Sequence, residues 1–162
     1  NFITEKNLDK FLGNVDKQGS YYRWSVYYDS KELAGLVFTK TGKKFKTITK
    51  LKTTKRGNSG RVLSLDIIGV LDDNTNFSLS IGSEYEIRRI LHPEFLYSSA
   101  FTIESNSEHN NKTNRFTLNG AGWGHGVGLC QIGALGMALD GGKTEEILLH
   151  YYQSSQIRNL YE

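Results

Sequence analysis

Several stretches in the first two thirds of the chain alternate between apolar and polar residues, the period of a β-strand with one covered face. Residues 21–28, Tyr-Tyr-Arg-Trp-Ser-Val-Tyr-Tyr, are rich in aromatic and β-branched side chains and predict a strand. Ser30 is placed to cap a short helix near 30–40, whose Leu33, Leu36 and Val37 make one apolar stripe. Next, Phe45, Thr47, Thr49, Leu51 and Thr53 share one parity and Lys44, Lys46, Lys50 and Lys52 the other, which predicts a strand with a solvated lysine face. Arg56-Gly57-Asn58-Ser59-Gly60 predicts a turn, because glycine and asparagine tolerate positive φ. Residues 61–68 and 77–81 read as strands joined by a polar hairpin loop at 72–76. Ser83 and Glu86 form a capping box opening a helix over 83–92 that carries Tyr85, Ile87, Ile90 and Leu91 and stops near Pro93. Strands near 99–103 and 115–118 flank a polar loop at 105–114.

The last third changes texture. Residues 127–140 are apolar nearly all round, with Cys130, Gly133, Ala134, Met137 and Ala138 facing one way and Ile132, Leu135 and Leu139 another, the pattern of a buried helix. Gly141 and Gly142 end it, and Thr144, Glu145 and Glu146 open a helix over 143–152 carrying Ile147, Leu148, Tyr151 and Tyr152. A final strand over 156–161 is expected to close the sheet. The whole reads as an α+β fold, with antiparallel strands and helices near 30–40, 83–92, 127–140 and 143–152. No repeat or low-complexity tract breaks the chain and Pro93 marks no linker, so residues 1–162 are expected to form a single unit.

Composition narrows the function classes. With 38% hydrophobic and 12% aromatic residues the chain should fold, and a net charge of +3 is too weak to argue for nucleic acid. Every charged residue in 43–56 is basic: Lys43, Lys44, Lys46, Lys50, Lys52, Lys55 and Arg56. Lysines protect an edge strand from unwanted pairing; the alternative is attraction to an anionic polymer such as cell-wall material. A lone cysteine, Cys130, excludes an intrachain disulfide and a cysteine-rich zinc site, and no cofactor or metal is expected. No stretch of about 20 apolar residues is present to span a membrane. The opening residues do not resemble a signal peptide and lack an initiating methionine, so the chain is expected to begin inside a longer precursor.

The chemistry concentrates in one run. Glycine occupies positions 120, 122, 124, 126 and 128, and each glycine costs about 0.5–1 kcal/mol against alanine where the backbone would accept alanine. Two physical needs justify that cost: positive φ, or close approach of the backbone to another surface. Trp123 and His125 are the large side chains inside the run, and both suit sugars, an indole face offering apolar area and an imidazole a donor or acceptor. By residue type alone His125 is as readily a structural histidine. Gln131, if its helix is buried, needs hydrogen-bond partners such as the wall of a polar site would supply. Cys130 reads first as a small buried hydrophobe; a thiol enzyme using Cys130 and His125 is the alternative, and would be labelled by a mild alkylating agent at neutral pH. A dinucleotide fingerprint is rejected, since no acidic residue follows about 20 positions on at the end of a second strand.

The segment Gly122-Trp123-Gly124-His125-Gly126-Val127-Gly128-Leu129-Cys130-Gln131-Ile132-Gly133-Ala134, followed by Met137-Ala138 and by Glu145-Glu146-Ile147-Leu148-Leu149-His150-Tyr151-Tyr152, resembles the SpoIID/LytB family, named for stage II sporulation protein D and an amidase modifier. Ser59-Gly60-Arg61-Val62 and Ile87-Arg88-Arg89-Ile90-Leu91 also resemble family segments, so the likeness covers most of residues 21–162. It resembles Bacteroides-type versions, which carry Cys where sporulation proteins usually have Ser. The resemblance implies an extracytoplasmic protein of the periplasm or cell envelope whose partner is the glycan strand of peptidoglycan. Sporulation members are lytic transglycosylases: a glutamate protonates the leaving oxygen while the sugar's own 6-hydroxyl attacks the anomeric carbon. That glutamate lies in a segment resembling Glu-Ala-x-Lys-Ala-Gln-Ala-Val-Ala-Ala-Arg-Thr, which residues 1–162 do not contain, nor do they contain the Cys and His zinc ligands of some members. Residues 1–162 therefore read as the carboxy-terminal part of the domain, inactive alone, with no catalytic residue of their own. The resemblance implies that Trp123, His125, Gln131, Arg61 and Tyr151 line or support the glycan groove, with His125 and Gln131 as candidate support for catalysis. A second reading is a noncatalytic wall-binding module that enhances an N-acetylmuramoyl-L-alanine amidase, as the other branch of the family does.

Overall fold

The computed structural model describes residues 19–107 and 114–158. They fall in two compact units, the first comprising Ser20–His125 and the second the chain from Gly126 onward, with no proline- or serine-rich linker at the junction. The fold is α+β.

The first unit holds two three-stranded antiparallel sheets. Strands β1 (Arg23–Asp29), β6 (Asn114–Ala121) and β5 (Phe101–Ser107) pair in the order β1-β6-β5, while β2 (Phe45–Arg56), β3 (Val62–Leu71) and β4 (Asn76–Ile81) pair in sequence order. Helices α1 (Ser30–Thr41) and α2 (Glu84–Ile90) complete the unit. One apolar core joins both sheets and both helices through Trp24, Leu33, Val37, Ile48, Leu65, Ile67, Ile87, Leu91, Phe116 and Leu118. The sheets are also tied by polar groups. Arg56 donates to Phe101 O (3.0 Å) and Asn114 Nδ2 to Thr49 O (3.1 Å).

Helix α1 starts differently from expectation. Asp29, not Ser30, is its cap: Asp29 Oδ1 accepts from the amides of Lys31 (2.7 Å) and Glu32 (2.8 Å), and Glu32 Oε2 accepts from Asp29 N (2.9 Å). Aspartate brings a charged acceptor to the positive helix end, which releases Ser30 for another task. Its buried hydroxyl donates to Ile48 O (2.6 Å) and accepts from Ile48 N (2.9 Å), satisfying both backbone groups of one residue on the outer edge of β2. Strand β2 is the lysine-rich edge strand, but its parity breaks. Register shifts between Phe45 and Thr47, Ile48 and Lys50, and Thr53 and Lys55 bury Phe45, Ile48 and Leu51 at intervals of three residues. Gly69 of β3 accommodates the bulge, since a Cβ there would strike Thr47 O. Lys46, Lys50 and Lys52 remain exposed as the pattern predicts.

Only half of the Ser83 capping box forms: Ser83 Oγ accepts from Glu86 N (3.4 Å), while the Glu86 carboxylate turns to Arg89 (2.7 Å). The guanidinium offers a charge-assisted bond stronger than an amide donor. Strand β5 continues to Ser107, so it takes part of the stretch read as loop; residues 108–113 lie outside the described ones.

The second unit contains α3 (Gln131–Leu139) and α4 (Thr144–Tyr151). Helix α3 begins four residues later than the apolar pattern suggests and is not buried all round; Leu135, Leu139 and Val127 are exposed, Val127 by 75%. Helix α3 meets α4 where Gly133 faces the Tyr151 hydroxyl. Thr144 is the first helical residue of α4 rather than its cap, and Glu146 Oε2 accepts from Lys143 N (2.8 Å). Residues 156–158 form no strand, and 159–161 lie outside the described residues. Among the described residues no helix is long and apolar enough to cross a membrane.

Candidate functional site

The glycine run meets both physical needs that its composition implied. Gly120 stands opposite Trp24 in the β1–β6 ladder, and a Cβ on Gly120 would fall inside the buried indole ring. Close approach accounts for that position. Gly122, Gly124, Gly126 and Gly128 all have positive φ, between 70° and 109°, a region costly to residues with a Cβ.

These conformations hold the backbone on each side of Trp123. Before it, Trp24 Nε1 donates to Gly122 O (3.1 Å); after it, Gly124 N donates to Tyr97 O (2.8 Å). The acceptor segment is itself fixed. Arg88, a buried guanidinium, donates to Leu96 O (2.8 Å) and Tyr97 O (3.1 Å), pairs with Glu84 (3.3 Å) and lies 4.4 Å from the centre of the Phe95 ring. So held, the Trp123 side chain points outward and is 72% exposed. It stacks on Tyr21, with ring centres 5.9 Å apart and planes at 23°, and Tyr21 in turn rests on Tyr97 at 4.9 Å. Tyr97 also contacts Trp24 (5.5 Å) and His92 (5.5 Å), so buried and exposed aromatics form one connected ladder. Burial holds the His92 imidazole below its ordinary range, and its Nδ1 accepts from Glu94 N (3.2 Å).

His125, also of the first unit, is exposed two residues beyond Trp123. Arg61 is half-buried after the Gly57–Gly60 turn. The next residue, Val62, donates to Ser99 O (2.8 Å), while Ser98 Oγ donates to Ala121 O (2.8 Å) and Ala121 N to Ala100 O (3.0 Å). The segment 97–100 thus anchors both the start of the Arg61 strand and the base of the glycine run.

Gln131 and Tyr151 belong to the second unit. Gln131 is exposed at the first turn of α3, so its amide needs no buried partner. Cys130 is exposed as well, contrary to its reading as a buried hydrophobe. It occupies the helix cap, where Sγ accepts from Gly133 N (3.4 Å) and so serves as a polar capping group rather than an apolar filler. The Tyr151 hydroxyl lies against Gly133 where a Cβ would be, beside the Cys130 thiol. Burial raises the Tyr151 pKa above its usual range, and Cys130 adds to the effect. Among the described residues no group of three or more His, Cys, Asp or Glu is arranged to hold a metal ion.

Tyr21, Tyr97 and Arg88 were missed as contributors to the site. Tyr21 carried a signal, lying at the exposed end of an aromatic-rich strand; Tyr97 and Arg88 look in sequence like ordinary members of a loop and a helix surface.

The chain matches a family model described as a domain of unknown function, DUF8618, over residues 1–128. An uncharacterized protein of Brachyspira hyodysenteriae is 39% identical over 72 residues, 44% of this chain, and the match spans 18% of that relative's length. No solved structure matches. Since the family model takes in 128 of 162 residues, including every described residue of the two-sheet unit that presents Trp123 and His125, the chain belongs to the DUF8618 family.

Proposed function

We propose that this chain is the glycan-binding part of an extracytoplasmic peptidoglycan-processing domain of the SpoIID/LytB kind, acting as part of a lytic transglycosylase whose general-acid glutamate comes from a segment outside residues 1–162. The observation that carries the reading is the outward, clamped presentation of Trp123 with His125 beside it, on a turn whose sequence is the family-like motif. The reaction is an intramolecular transfer. The acid protonates the glycosidic oxygen as the bond to the anomeric carbon breaks, the 6-hydroxyl oxygen bonds to that carbon, and the hydroxyl proton passes to the base form of the same carboxyl; no water is consumed. In that chemistry Trp123 provides a face for a sugar ring and His125 a hydrogen bond, with Arg61 as support in the first unit. Gln131 and Tyr151 are groups that the second unit offers to the polymer on its own account.

Denuded glycan strands incubated with the full-length protein are expected to release fragments ending in 1,6-anhydro sugars, identified by mass. His125→Ala, verified as folded, should slow release. Hydrolytic rather than anhydro ends would sink the transglycosylase reading, and unchanged release by the variant would remove His125 from the mechanism. A second reading is a noncatalytic module enhancing a cell-wall amidase, a role that needs no glutamate-bearing motif within residues 1–162. Strand binding without release, together with stimulation of such an amidase, would support it.

A further inference from the structure

We infer that Tyr21 and Trp123 together form a stacking shelf for a neutral hexopyranose ring, with Tyr97 as the residue that positions it. This rests on the glycan-binding reading above but makes a separate claim: Tyr21, outside the glycine motif, is a binding residue. Single exposed aromatics are common on protein surfaces and need no explanation. Here two adjoining rings are exposed, Trp123 by 72% and Tyr21 by 43%, with their planes within 23° of parallel. The backbone on each side of Trp123 is fixed by the Gly122 and Gly124 bonds, and Tyr21 rests on Tyr97, whose carbonyl takes donors from both Arg88 and Gly124.

A pair of exposed, adjoining aromatic rings suits a ligand that is flat, has one apolar side and carries hydroxyls at its rim. A pyranose ring fits, because its C–H groups can sit on the π-faces while its hydroxyls stay hydrated. Nucleobases also stack on aromatic platforms, but such sites pair the rings with a basic groove that tracks the phosphates. Beside Tyr21 the exposed Arg23 is engaged with Tyr22, donating to its carbonyl (3.0 Å) and lying 4.4 Å from its ring centre, and the exposed lysines Lys50 and Lys52 lie on β2, in the other sheet from the strand that follows Tyr21. The observations therefore favour a sugar.

The test titrates the full-length protein with the N-acetylglucosamine tetramer, with denuded glycan strands and with an oligothymidylate. Trp24 is buried and Trp123 exposed, so the part of the emission shift that disappears in Trp123→Phe is the signal of the shelf. The tetramer should shift that emission to shorter wavelength. Tyr21→Ala should weaken binding about tenfold, while Tyr21→Phe, which keeps the ring, should stay within about twofold. If Tyr21→Ala does not fold, Tyr21→Leu reads the same loss with apolar bulk retained. Wild-type affinity in the folded Tyr21→Ala or Tyr21→Leu protein, with binding lost in Trp123→Ala, overturns the shelf and leaves the glycan reading standing. Binding of the oligothymidylate but of neither sugar overturns the ligand class. Failure of the wild-type protein to bind either sugar overturns both.

Discussion

Two glycines of the same run illustrate how one residue type can serve unlike ends. Gly120 has ordinary φ but no room, since its missing Cβ is the space the Trp24 ring occupies; Gly124 has open space around it but φ of +109°. Alanine at 120 must displace a buried indole, an overpacking that costs about 1–3 kcal/mol and in addition threatens the Trp24 bond to Gly122. Alanine at 124 meets no neighbour, so its cost is backbone strain alone, about 1–2 kcal/mol. Urea denaturation should therefore show Gly120→Ala as a loss of global stability accompanied by altered Trp24 near-ultraviolet signals. Gly124→Ala should leave those signals intact and disturb the exposed Trp123. If the two variants behave alike, the division between packing and conformation is wrong.

At the scale of elements, the contact between α3 and α4 turns on a pair that can be tested by a cycle. Gly133 in α3 lacks a Cβ where the Tyr151 hydroxyl of α4 sits. Gly133→Ala gains about 0.5–1 kcal/mol in helix propensity but collides with that hydroxyl. Tyr151→Phe removes the colliding oxygen. The double variant is thus expected to be more stable than the sum of the single changes predicts, by about 0.5–2 kcal/mol, measured by chemical denaturation; strict additivity would mean that the two residues do not touch. The lysine strand teaches a related lesson. Its alternation identified β2 and its edge position, yet the bulges that bury Phe45, Ile48 and Leu51 depend on how β3 and Ser30 meet it, and strand periodicity alone contains no sign of them.

For the molecule as a whole, two half-buried groups set opposite pH limits on the first unit. The Tyr28 hydroxyl donates to Leu91 O (2.7 Å), and burial, with smaller contributions from Tyr97 and Glu32, pushes its pKa from 10.0 up to about 12. The native state thus holds this proton more tightly than the unfolded chain. Its stabilising contribution is complete below pH 10 and disappears as pH rises through about 12. For His92 burial works in the other direction, holding the imidazole below its ordinary 6.5, so the unfolded state takes up a proton first and stability falls as pH drops below that value. Urea midpoints measured across pH should show both slopes. Tyr28→Phe should flatten the alkaline one at a cost of about 1 kcal/mol near neutrality, and His92→Gln should flatten the acid one; slopes unchanged in both variants would assign the pH dependence to other groups.

The sequence by itself determined the α+β class, the places of the four described helices and most strands, and the concentration of special backbone in residues 120–128. These follow from local rules: strand and helix periods, caps, and the steric freedom of glycine. Tertiary structure alone decided which glycine served packing and which served conformation, because the Trp24 ring and an ordinary φ together set Gly120 apart from the positive-φ glycines after it. It alone decided that Cys130 and Gln131 are exposed, since an apolar pattern tells which residues could be buried and not what arrives to bury them. And it brought Tyr21 against Trp123, residues a hundred positions apart in the chain, through a ladder anchored on Tyr97 and Arg88. Contacts between residues so distant depend on how strands pair and loops return, and no local period encodes them.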